Sequence, residues 1–240
     1  AGLVLPVLAS RALVLYGTSG FETPLAYFLL AAYALLLLPA DGSRPIRWGL
    51  LSLVAALGIL NRLDHLLLYG PSLVYLGVTR WKQVTWKPLL LGLTPLVLWF
   101  VFSLVYYGSP LPNTAGAKLS PEIPVSQYVR EGVLYTANLI RWDPVAALIL
   151  VGSLAISGAA LARRRSGPDR AGAGRLAALG AGVWLYGGYI LLIGGGFLSG
   201  RFWAAPLFAG VLVLVLGGEE AIAQFRRSTA RTRAVVVAAT

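Results

Sequence analysis

Cysteine and methionine are both absent from this 240-residue chain, and histidine occurs once, as His65. Without cysteine there is no disulfide framework and no thiolate metal site, so the redox compartment leaves no mark on the sequence. A single histidine with no Asp/Glu/His spacing around it supports no metal motif. Charge is scarce as well. Charged residues make up 12% of the chain and hydrophobic ones 58%, against about 25% and about 45–50% in a soluble domain. That scarcity, with a mean hydropathy of +0.75, excludes an ordinary soluble globular domain. The apolar residues come in blocks rather than in the period-two alternation of a transmembrane β-barrel, which leaves a polytopic, all-α transmembrane helix bundle.

With no methionine even at position 1, an opening apolar run "AGLVLPVLASRALVLYG" without a basic n-region, and a closing "AVVVAAT", the chain reads as an internal piece of a longer membrane protein. We read residues 1–240 as a single transmembrane domain, truncated at both ends. Apolar blocks and breakers place about seven full spans, at 24–39, 47–61, 64–79, 88–107, 143–162, 176–195 and 202–218. Partial helices stand at both ends, the first at about 1–16. No internal repeat of 20 to 50 residues is evident.

The formal net charge of +11 would suit a nucleic-acid binder. Its distribution argues otherwise. Alternate links, "ADGSRPIRW", "RWKQVTWK", "RRRSGPDRAGAGR" and "EEAIAQFRRSTARTR", hold fourteen of the 20 Lys and Arg, and the other set of links holds five. Short loops rich in Lys and Arg stay cytoplasmic, so this asymmetry orients the bundle and implies contact with anionic lipid headgroups, not nucleic acid. The outer-face loops are then about 17–23, 61–64, 108–142 and 196–201. Trp81, Trp86, Trp142, Trp203, Tyr106 and Tyr107 fall near span ends, where aromatic rings anchor at the interface.

Four polar clusters share the outer face. In "GTSGFETPL", Glu22 precedes Pro24 and either caps the following helix or serves a substrate hydroxyl. In "LNRLDHLLL", Asn61, Arg62, Asp64 and His65 crowd one link more densely than a turn requires, and Arg62 and Asp64 either pair or face a cavity. "YYGSPLPNTAGAKLS" is turn chemistry carrying Asn113, Thr114 and Lys118, and the stretch after it mixes apolar and polar residues as an interfacial amphipathic helix does. "GGGFLSGRFW" is a glycine-rich link ending in Arg201, a residue able to grip phosphate. Cations and carboxylates beside lipid suit an anionic, lipid-linked substrate. The residues alone leave a lipid-phosphate enzyme, a transporter and a membrane scaffold open.

The motifs "SRALVLYGTSGFETPL", "NRLDHLLLYGPSL", "YYGSPLPNTAGAKL", "YTANLIRWDP" and "GGGFLSGRF" occur here in order. In this the chain, over about residues 9–215, resembles a family of bacterial multi-spanning proteins similar to the GT-C glycosyltransferases. That family includes the mycobacterial terminal β-(1→2)-arabinofuranosyltransferase and relatives known as flagellar motor control proteins. The resemblance implies transfer of a sugar, arabinofuranose among the candidates, from a polyprenyl-phosphate donor to a cell-envelope glycan acceptor, at the extracytoplasmic face of the bacterial inner membrane. It also implies that the catalytic base lies upstream of Ala1. Lys118, Arg201 and Arg62 would then bind the donor phosphate, Asn113 and Thr114 would orient substrate oxygens, and Glu22 and Asp64 would be supporting carboxylates. No cofactor is evident, and a divalent metal, which the resemblance leaves open, finds no support in this segment. The non-enzyme alternative is a scaffold or assembly protein of the flagellar-motor-control type, with a transporter third. Two positions depart from the family pattern: Gly196 stands where an aspartate is usual, and Leu198 where methionine is usual.

Overall fold

The computed structural model describes residues 4–38, 45–110, 123–166 and 170–238, and every regular element among them is helical. In chain order these are α1 (Val4–Ala9), α2 (Arg11–Thr18), α3 (Thr23–Leu37), α4 (Trp48–Asn61), α5 (Leu66–Thr79), α6 (Trp86–Tyr107), α7 (Val125–Trp142), α8 (Pro144–Ser166), α9 (Arg170–Leu192) and α10 (Arg201–Ala238), with short 3-10 turns at Leu63–His65 and Trp81–Gln83. The all-α fold class therefore holds.

The expected number of spans does not. Among the described residues four helices are long and apolar enough to cross a bilayer: Trp86–Tyr107, Pro144–Arg164, Ala171–Leu192 and Arg201–Glu219. A fifth span exists only if α2 and α3, bent by 111° at their junction, count as one broken span. Helices α4 and α5 have 14 residues each, so at 1.5 Å per residue each reaches roughly 21 Å, short of a hydrocarbon core of about 30 Å. The polar pentad at 61–65 and the basic link after Thr79 stop these helices before they attain spanning length.

Local signals set several boundaries. Ser10 ends α1 and caps α2, its hydroxyl accepting from the Leu13 N–H at 3.3 Å. Gly108 closes α6 in the left-handed region, φ +69, where a side chain would be strained. Close helix approaches use small residues, as membrane bundles do. A Cβ on Gly132 of α7 would lie 2.6 Å from the Leu191 backbone of α9, and one on Gly182 would meet the Leu68 carbonyl of α5.

The core runs through Leu30, Tyr33, Leu51, Leu68, Tyr69, Leu179 and Tyr186. Its polar atoms are paired where the chain allows: Tyr33 Oη and Ser72 Oγ meet at 2.7 Å, and buried Arg175 donates to the Leu37 carbonyl at 3.0 Å, closing the end of α3. Trp203 is 4% exposed and donates to Thr136 Oγ1. It is a core residue, not the interfacial anchor expected from its place near a span end. Trp81, Trp86, Tyr106 and Tyr107 are exposed.

Antiparallel connection of α3, α4 and α5 collects their links at two opposite ends. The 17–23, 61–65 and 194–201 links meet at one end, where the Asn61 amide donates to the Glu22 carbonyl. The 80–85 link lies at the other, where Trp48 Nε1 donates to the Gln83 carbonyl at 2.8 Å.

Candidate functional site

Glu22 occupies the position before the first turn of α3, with Pro24 following, yet its carboxylate makes no capping bond. It turns instead to two arginines. Arg62 Nη1 donates to Oε1 at 2.7 Å, and Arg201 Nη2 donates to Oε1 and Oε2 at 3.2 and 3.0 Å. Arg62 sits in extended backbone between α4 and the 3-10 turn. From there its Nε and Nη2 reach Asp64 Oδ1 and Oδ2 at 3.0 and 2.6 Å, a bidentate fork. Three links separated widely in sequence thus form one ion-pair chain, Asp64–Arg62–Glu22–Arg201.

Aromatic rings floor the cluster. Arg62 lies over the Phe202 ring at 4.8 Å and Arg201 over Phe21 at 4.2 Å, contacts in which the ring quadrupole attracts the cation. Tyr186 of α9 lines the small cavity at the cluster together with Glu22, Arg62 and His65. Side-chain exposures of 12% to 23% put the four charged groups between surface and interior, where a pair is worth more than at the surface. Burial alone would push the Asp64 carboxyl up, but the Arg62 guanidinium outweighs it and holds the carboxyl below its ordinary value. His65 next to it is 1% exposed, and burial pushes its pKa down to about 4 even with Asp64 alongside.

Two guanidinium groups face two carboxylates, so the cluster is internally neutral. The cavity among Glu22, Arg62, His65, Tyr186, Arg201 and Phe202 measures about 10 Å³, room for about one water. A substrate would sit beside the cluster rather than inside it. The two arginines differ in capacity. Arg62 commits Nε, Nη1 and Nη2 to carboxylates, whereas Arg201 commits only Nη2 and keeps a buried Nε with no partner.

The glycine-rich link is strapped down. Tyr135 Oη donates to the Leu198 carbonyl at 2.9 Å and accepts from the Phe202 N–H at 3.1 Å, while Tyr16 Oη donates to the Ser199 carbonyl at 2.6 Å. Gly195, Arg201 and Trp203 donate their own N–H groups to backbone carbonyls. Gly194, Gly195 and Gly200 have φ of +75, +73 and +79, so this path requires glycine. At Gly196 a Cβ would come 2.5 Å from the Phe202 ring. A side chain there requires the Phe202 ring under Arg62 to shift.

Of the seven residues singled out in the sequence, Glu22, Arg62, Asp64 and Arg201 come together. Asn113, Thr114 and Lys118 lie outside the described residues. Sequence reasoning missed Tyr186, Phe202 and Phe21, since aromatic residues in or beside apolar runs read as core. The expected amphipathic helix exists as α7, which buries Gly132, Tyr135 and Leu139 and exposes Val125, Val133 and Leu134. Among the described residues no three His, Asp or Glu side chains group as a metal site. No protein-family model matches this chain, and no curated protein or solved structure shows detectable similarity to it.

Proposed function

We propose that this chain is part of a GT-C-like membrane glycosyltransferase that moves a sugar, arabinofuranose among the candidates, from a polyprenyl-phosphate donor to a cell-envelope glycan. The observation that carries the reading is the convergence of Glu22, Arg62, Asp64 and Arg201 at one end of an apolar bundle. Ionised groups beside lipid are costly and concentrate where a substrate or one another needs them. The end that holds them is the end with few basic link residues, which the charge asymmetry assigns to the extracytoplasmic side.

Within that reading the residues divide the work. Arg201, which gives only Nη2 to a carboxylate, is the donor-phosphate contact, joined by Lys118. Arg62, saturated by carboxylates, positions Glu22 rather than touching phosphate. Asp64 is held ionised with a lowered pKa, which makes it a poor proton acceptor near neutral pH; it supports the arginine, and the general base comes from the chain upstream of Ala1. In the transfer, the acceptor hydroxyl loses its proton to that base and its oxygen bonds to the anomeric carbon. The bond from that carbon to the phosphate oxygen breaks, and polyprenyl phosphate leaves with its added charge near Arg201 and Lys118.

The test is a transfer assay on the full-length protein in vesicles with radiolabelled polyprenyl-phosphate pentoses and hexoses. Label should pass from one donor to glycan, and failure with every donor would sink the reading. The internal neutrality of the cluster and its water-sized cavity favour a second reading, a scaffold in which the ion-pair chain only locks three links together. Under it, cluster variants lower stability and no donor binds.

A further inference from the structure

At the opposite end of the bundle lies a groove of 650 Å³ between α4, α5 and α6, walled by Trp48, Leu73, Val78, Trp81, Trp86 and Leu89 among others. Its size falls within the range of roughly 300–1,000 Å³ typical of small-molecule sites. Its lining offers almost nothing polar. The Ser52 hydroxyl is spent on the Gly49 and Leu89 carbonyls, at 3.1 and 3.0 Å, and the Trp48 indole on Gln83. An occupant must therefore be a hydrocarbon chain over the length of the groove. Trp81 and Trp86 pack edge to face at 5.1 Å at its mouth and are 62% and 49% exposed, a placement that suits headgroup depth.

The described chain next to the groove, 45–48 and 79–88, carries one sign of charge. Arg80, Lys82 and Lys87 flank the two mouth tryptophans in sequence, and Arg47 precedes Trp48. None of the four has a carboxylate partner among the described residues. Positions 45–48 and 79–88 contain no Asp or Glu. An apolar slot beside four cations that have no carboxylate partner among the described residues matches an amphiphile with a hydrocarbon tail and an anionic head.

We propose that this groove is a binding site for an anionic glycerophospholipid, one acyl chain lying between α4, α5 and α6 and the phosphate held by Arg80, Lys82 and Lys87. The site is separate from the ion-pair cluster, and it stands whether or not the chain is a glycosyltransferase. Basic pockets between membrane helices take such headgroups, each cation contributing about fivefold in affinity near the surface.

The test reconstitutes the full chain in phosphatidylcholine vesicles containing a fixed fraction of phosphatidylglycerol. Bromine is placed on the acyl chains of either lipid at equal mole fraction, and tryptophan quenching is read. Brominated phosphatidylglycerol should quench more strongly, with a relative affinity at least about tenfold above phosphatidylcholine. The difference in quenching should shrink in Trp81→Phe/Trp86→Phe, which removes the two mouth reporters and leaves Trp48 on the groove wall, and should vanish in Arg80→Ala/Lys82→Ala/Lys87→Ala, which removes the rim. Gly77→Phe supplies an independent check, because a side chain there projects into open space and lines the groove. It should abolish the preference with the charges intact. Equal quenching by both lipids in the unaltered chain would overturn the proposal, as would a preference that survives the triple substitution. Weak quenching by both lipids that rises on dilution into excess lipid would place a second copy of the chain in the groove and overturn it equally.

Discussion

The Arg62 guanidinium meets the Glu22 carboxylate at 2.7 Å across 40 residues of chain, and the same carboxylate accepts from Arg201, 179 residues away. Glu22 is thus the junction that ties the α2–α3 bend to the start of α10. Replacing it with glutamine leaves two guanidinium groups facing a neutral amide. We expect Glu22→Gln to destabilise the bundle by about 1–3 kcal/mol, as loss of a charged, partly buried hydrogen-bond acceptor does. The loss should be less than additive with Arg201→Gln by about 1 kcal/mol or more in a double-mutant cycle of thermal unfolding in detergent. Additive effects would show that the pairing contributes nothing.

His65 supplies a pH signature. Its folded pKa of about 4 lies below the ordinary 6.5, so the unfolded chain takes up the proton first as pH falls. Stability from this residue is complete above about pH 6.5 and is lost as pH descends through 4, by roughly 3 kcal/mol in all. It is the single histidine, so no other side chain of ordinary pKa titrates over most of that window. Asp64, also lowered, adds its loss only below its ordinary value of 3.8. His65→Gln should flatten the melting temperature between pH 6.5 and pH 4.5, and an unchanged slope in that variant would remove His65 as the cause.

How much of this could be seen in the sequence follows from two kinds of signal. Apolar blocks placed α6, α8 and the apolar part of α10 to within two residues, because a long uninterrupted run has no other stable form in lipid, whereas α9, expected at 176–195, spans Ala171–Leu192. The same blocks overstated α4 and α5, since their apolar character continues almost to Arg62 and Arg80 while their length does not suffice. Convergence of Glu22, Arg62, Asp64 and Arg201 was legible only as shared sidedness. Alternate links of an antiparallel bundle fall at one end, but which side chains touch is set by bends such as the 111° turn after α2. Trp203 and Tyr186 show the limit from the other direction. An aromatic residue near or within a span reads equally as anchor, core or site, and only packing decides.

The division of labour proposed for the two arginines gives a third expectation. In the full-length protein, Arg201→Ala and Lys118→Ala should each weaken binding of a polyprenyl-phosphate donor by roughly ten- to a hundredfold, the worth of one charge-assisted phosphate contact. Arg62→Lys should instead lower the melting temperature, since one ammonium cannot reproduce the fork to Asp64 and the bond to Glu22 together. Donor binding measured by calorimetry, alongside unfolding, separates the two effects. Equal loss of donor affinity in all three variants would return Arg62 to the phosphate site.

Asp143 carries the last expectation, and it lies outside the cluster. It directly follows the outer-face loop 108–142, yet it is 1% exposed. One carboxylate oxygen accepts from Ser10 Oγ at 2.6 Å and from the Ala12 N–H at 3.0 Å, and the other from the Ala146 N–H at 3.4 Å. A single side chain therefore caps α2 and α8 at once, and its bond to the Ala12 N–H spans 131 positions of the chain. Each cap contributes about 0.5–2 kcal/mol, so Asp143→Ala should cost about 1–4 kcal/mol and Ser10→Ala about 1 kcal/mol. Because removing Asp143 also strands the Ser10 hydroxyl, Ser10→Ala should cost less in the Asp143→Ala background than alone. If both substitutions leave the melting temperature unchanged, the link between α2 and α8 is not what holds the bent α2–α3 pair, and with it Glu22, against the start of α10.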